Sequence, residues 1–80
     1  MKIYPITLVE TSSTDILESE NAYLRIGEDP KHVMISKMLD WIDTGKIKQM
    51  VFSIEAGCPI VYIQMENERD YHIMIDMSSK

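Results

Sequence analysis

The sequence predicts an α+β domain over residues 1–80, in ββαβββ order, with one amphipathic helix packed on one face of a mainly antiparallel sheet. Three observations carry this. Apolar and polar residues alternate in strand-length runs on both sides of a central segment. That segment alone has helical spacing, between Asp29-Pro30 and Gly45. The later runs are turned into one another by Gly57-Cys58-Pro59 and Asn67-Glu68-Arg69.

The elements follow in order. From Lys2 to Val9, Tyr4, Ile6 and Leu8 alternate with Ile3, Pro5, Thr7 and Val9, which is a strand. Pro5 has no N–H to give a ladder, so this strand is expected at a sheet edge. Thr11-Ser12-Ser13-Thr14 breaks it, and Asp15-Ile16-Leu17-Glu18 has the form of a short capped helical turn. Ala22, Leu24 and Ile26, alternating with Tyr23 and Arg25, form the second strand. Asp29 suits an N-cap, Pro30 the first helical position and Gly45 the stop. At 100° per residue, Met34, Ile35, Met38, Leu39, Trp41 and Ile42 share an arc of about 160°, with Val33 on the wet side. Trp41 is therefore expected to be largely buried against the sheet with Met38 and Ile42. Strands then run from Ile47 to Ile54, Ile60 to Met65 and Tyr71 to Met77. An odd loop in the last hairpin keeps apolar faces matched, pairing Met65 with Tyr71, Ile63 with Ile73 and Val61 with Ile75. That register sets Tyr62 opposite Met74.

Eighty residues make one small domain with no room for a two-domain cleft. Apolar runs are too short to span a membrane, and residues 1–5 are not followed by a signal-peptide core. The lone Cys58 permits neither an internal disulfide nor a cysteine-based zinc site, which suits a reducing, cytoplasmic setting. The net charge of −5 argues against direct nucleic-acid binding. All of it lies between Glu10 and Asp29, where six acids face one base, Arg25. Glu10, Asp15, Glu18 and Glu20 thus form a candidate acidic patch for a basic partner surface.

The helix can cover one sheet face, expected to hold Met50, Phe52, Ile54, Val61, Ile63, Met65, Tyr71, Ile73 and Ile75. The other should be polar in a lone monomer. Instead it carries Val51, Ile60, Tyr62 and Met74 beside Gln49, Ser53, Gln64 and His72. Aligned apolar residues of this kind mark interfaces, so Val51, Ile60, Tyr62, His72 and Met74 are candidate partner-binding residues, and a homodimer is the simplest occupant. Most of the methionines suit core filling, but Met74 fits an adaptable binding surface.

Catalytic chemistry is thin. His32 and His72 lack metal-ligand spacing, and Cys58 reads as a structural thiol. Phosphate loops, nucleophile elbows and calcium loops are missing from the sequence, and the acids Glu66, Glu68 and Asp70 around Arg69 fit a solvated turn. No catalytic, metal or cofactor residues are expected. The composition favours a non-enzymatic protein-binding module: a small acidic inhibitor, immunity or regulatory protein that covers its partner. One alternative is an acidic nucleic-acid mimic that blocks a DNA- or RNA-binding protein. Another is a small ligand-binding domain or enzyme with a site at a dimer interface.

Overall fold

A computed structural model describes residues 1–78. The order of elements is β1 (Lys2–Glu10), β2 (Ile16–Leu24), α1 (Pro30–Trp41), a 3-10 turn (Thr44–Lys46), β3 (Ile47–Glu55), β4 (Cys58–Met65) and β5 (Asp70–Ile75). The strands form one five-stranded antiparallel sheet in the order β2-β1-β5-β4-β3. The helix lies on one face, so the ββαβββ reading holds.

The helix begins where the sequence places it. Asp29 caps it by accepting from the Lys31 N–H at 3.0 Å, and Pro30 opens the first turn. It ends at Trp41, short of Gly45, because Asp43 caps the 3-10 turn that leads into β3. The core between helix and sheet is Met34 and Met38 over Ile6, Leu8, Ala22, Val61, Ile63, Met65, Ile73 and Ile75.

The first half of the sheet differs from expectation. Residues 15–18 form no helical turn; Ile16 begins β2, which ends at Leu24, two residues before Ile26. A strand was hard to see in Glu18-Ser19-Glu20-Asn21 because β2 is an edge, where polar side chains face water. The edge assignment of Pro5 is corrected too, since β1 runs between β2 and β5. The proline is tolerated because the β1–β5 ladder ends at Ile6–Ile75, and Pro5 needs only to accept, at 2.9 Å, from the Asp76 N–H.

The last hairpin keeps the expected faces but shifts its register by two residues. Ile63 pairs with Tyr71 and Val61 with Ile73, so Tyr62 stands opposite His72 and Met74 opposite Ile60. A tighter loop causes the shift: Met65 closes against Arg69 rather than Tyr71, leaving residues 66–68 to turn the chain. Met65 accepts from the Glu68 N–H and donates to the Arg69 carbonyl, which closes the hairpin two residues earlier than the Met65–Tyr71 pairing would.

The helix is rotated from its expected seat. Met34 and Met38 are buried, while Val33, Trp41 and Ile42 pack at the margin of the core. Trp41 is thus half-buried rather than enclosed, with the Lys37 ammonium 5.8 Å from its ring centre. Ile35 and Leu39, placed inside the apolar arc by the sequence, are exposed. The cause is position: α1 packs over β2, β5 and β4, and Lys37 ties it to Glu20 on β2. Val33, on the β2 side of the helix, thereby gains cover. Ile35 and Leu39, about 160–200° round the helix from Lys37, do not.

Candidate protein-binding surfaces

The helix-free face follows from ladder parity. One row across it reads Val9, His72, Tyr62, Val51, and the next reads Thr7, Met74, Ile60, Ser53. Val51, Ile60, Tyr62, His72 and Met74 therefore do share a face. They are not equally available. Ile60 is 3 % exposed, because Met74 and Ser53 beside it and Cys58 and Tyr62 along its strand close over it. It cannot touch a partner directly. Tyr62, His72 and Met74 are half-buried, and Val51 is open.

Two hydrogen bonds tie down polar groups of this face. The Thr11 hydroxyl shares a 3.0 Å hydrogen bond with His72 Nδ1. The rings of His72 and Tyr62 lie 5.7 Å apart, tilted by 53°. The Tyr62 hydroxyl donates to Glu55, which holds the phenol protonated and raises its pKa. Burial lowers the His72 pKa below 6.5, against a weaker upward pull from Glu55. The face thus joins the half-buried Tyr62, His72 and Met74 to hydrogen bonds with Thr11 and Glu55. Cys58, buried at its margin, has as its nearest polar neighbours the Ala56 carbonyl at 3.9 Å and an Asp76 carboxylate oxygen at 3.8 Å. Among the described residues, no group of His, Cys, Asp and Glu is arranged to hold a metal ion.

The acidic residues lie elsewhere. Glu18 pairs with Leu8, and Glu20 with Ile6, so both side chains stand on the helix side of the β2 edge. Glu20 is bound to Lys37, and Glu10 has Arg69 3.8 Å away as well as a hydrogen bond from Ser13. Asp15 is exposed in the β1–β2 turn. The acids and the mixed sheet face are thus separate surfaces.

A second apolar surface was missed by sequence reasoning. The expected burial of Met50 and Ile54 beneath the helix is corrected: they are 44 % and 73 % exposed. Phe52 between them is half-buried, with the Lys31 ammonium 5.1 Å from its ring centre. The reason is width. A helix is about 10 Å across, whereas five strands about 4.8 Å apart span about 20 Å. With α1 drawn toward β2, the far edge β3 is left open. Leu39, 62 % exposed, and Ile35 stand on the flank of α1 away from β2. Like Met50, Phe52 and Ile54 they are apolar residues on the helix side of the sheet that the packing leaves uncovered. The signal was present in the sequence: residues 49–54, Gln-Met-Val-Phe-Ser-Ile, carry no charge.

No family model matches the chain, and no curated protein or solved structure matches it. Among the described residues, no helix is long and apolar enough to cross a membrane.

Proposed function

We propose that this chain is a non-enzymatic protein-binding module, of the inhibitor, immunity or regulatory kind, that covers a partner with the β3 side of its sheet. One observation carries the reading: the contrast between the sheet's two edges. Natural edge strands are guarded by charge, because a bare row of N–H and C=O groups recruits other strands. The β2 edge has its guards in Glu18 and Glu20. The β3 edge has none from Gln49 to Ile54, and it shows apolar side chains on both faces, Val51 on one and Met50 and Ile54 on the other. Such an edge suits strand addition, in which backbone bonds give affinity and side chains choose the partner.

A nucleic-acid mimic is less well supported. Its carboxylates would need to stand free, and Glu20 and Glu10 face Lys37 and Arg69.

The test is affinity capture with the parent, with Ile54→Lys, and with a variant carrying Asp15→Asn, Glu18→Gln and Glu20→Gln. The reading expects a bound protein, heterologous or a copy of this chain, that is lost with Ile54→Lys and retained, with slower association, when the acids are neutralised. Binding that depends on the acids and ignores Ile54 would overturn the β3 surface.

A further inference from the structure

We infer that the occupant of the β3 edge is β3 of a second copy, paired antiparallel about Phe52, so that two sheets join into one of double width with both helices on the same side. This inference rests on the protein-binding reading and names its partner.

The backbone supplies the first argument. Ala56 and Gly57 join β3 to β4 with φ of 52° and 79°. Positive φ at both central residues is the mark of a type I′ hairpin. In that hairpin Glu55 and Cys58, which flank the turn, exchange both N–H···O bonds, and bonded pairs then alternate with unbonded ones. In the observed register Glu55, Ser53 and Val51 direct their backbone groups to β4, and Ile54, Phe52 and Met50 direct theirs away from the sheet. Pro59 fits this phase, since it stands opposite Ile54, where β4 owes no bond to β3.

Symmetry then limits the registers. A two-fold axis normal to the sheet lets outward-facing residues meet only outward-facing residues. Centring on Phe52 sets Phe52 opposite Phe52 of the second copy, Met50 opposite its Ile54, and Ile54 opposite its Met50. Every outward group from Met50 to Ile54 is then bonded. Centring on Val51 instead would bring Ile54 opposite Lys48, where a register shift between Ile47 and Gln49 spoils the ladder.

Side chains favour the same choice. About Phe52 the strand reads almost alike in both directions: apolar at 50 and 54, and polar at 49 and 55. Met50, Phe52 and Ile54 all lie on the helix side, so the pairing makes one continuous apolar ladder of the residues the helix leaves open. Cross-strand contacts of this kind stabilise a sheet. At each end Lys48 of one copy, which pairs with Glu68 of its own chain at 3.2 Å, comes within one residue of Glu55 of the other, so the charges bounding the strand are opposite in sign. Pairing β2 with β2 would instead confront Glu18 and Glu20 with themselves. Pairing β3 with β2 would be heterologous, giving rings or open-ended chains rather than a two-fold dimer.

The experiment is sedimentation velocity from about 1 to several hundred micromolar, joined to disulfide trapping in a Cys58→Ser background. In the proposed register Val51 meets Ser53 of the second copy at an unbonded pair, where Cα atoms lie about 4.5 Å apart and a disulfide can form. A mixture of Val51→Cys and Ser53→Cys proteins should therefore cross-link, and neither alone should. The parent should sediment as a dimer, and Ile54→Lys as a monomer with an unchanged far-UV spectrum. A parent that stays monomeric, a dimer indifferent to Ile54→Lys, open-ended polymers, or cross-linking of Val51→Cys alone would each overturn the inference. A monomeric parent that still captures a different protein through Ile54 would leave the protein-binding reading standing; loss of both would remove it.

Discussion

The Thr11 hydroxyl lies 3.0 Å from Nδ1 of His72, so the turn after β1 is tied to the open face of β5. The contact holds the imidazole between Val9 on β1 and Tyr62 on β4, where burial disfavours its charged form. A pH dependence follows. The folded pKa lies below 6.5, so the unfolded chain binds the proton more readily. Stability from this group is complete above 6.5 and is lost as pH falls from 6.5 through the folded value. Urea midpoints measured from about pH 7.5 to 5.5 should fall, and the fall should flatten in His72→Gln. An equal slope in that variant would assign the effect to another group.

The rotation of α1 makes a sharp pair of substitutions. Met34 is 1 % exposed in the core, so Met34→Ala should cost about 2–5 kcal/mol. Leu39→Ala, on the uncovered flank, should change stability by less than about 0.5 kcal/mol. The sequence arc treats both residues as core, so denaturant unfolding of the two variants discriminates between the two seats of the helix. Equal losses would return Leu39 to the core.

The same rotation shows what the sequence could and could not reveal. Alternation from Lys2 to Val9, the Asp29-Pro30 cap and the turn at Gly57 are local signals, and each element they mark is present. The helix seat depends on how Met34 and Met38 pack against β2, β5 and β4 and on the width of the sheet, which are long-range facts. Strand β2 was obscured because edge residues such as Glu18 and Asn21 obey solvent rather than a core. Where the acidic residues lie relative to the apolar face was not legible, because ladder parity, which sends Glu18 and Glu20 to the helix side and Tyr62 to the other, appears only after pairing is known.

The β3–β4 turn carries a removable strain. Ala56 holds φ of 52°, a conformation that costs a non-glycine residue about 1–2 kcal/mol. Asparagine tolerates it better and makes the Asn-Gly pair that type I′ turns favour. Ala56→Asn should therefore stabilise the domain by about 0.5–1 kcal/mol, raising Tm by a few degrees. Gly57→Ala, at φ of 79°, should lower it. Calorimetry on the two variants checks both signs, and destabilisation by Ala56→Asn would reject the turn assignment.

The acids of β2 should act as guards rather than as a docking patch. Glu18 and Glu20 are the charges along an otherwise open edge, and the Glu20–Lys37 ion pair, between partly exposed groups, contributes at most about 1 kcal/mol. Their removal should therefore leave the fold intact while changing what the edge recruits. Glu18→Val with Glu20→Val should keep the parent's far-UV spectrum and unfold within about 1–2 kcal/mol of it. Above about ten micromolar it should form larger species visible by light scattering, because a second bare edge lets copies add in succession instead of closing. Adding Ile54→Lys to that variant should shorten the assemblies, since chain growth would need both edges. If the double valine variant matches the parent in size at every concentration, the carboxylates do not protect β2, and their role returns to steering a basic partner.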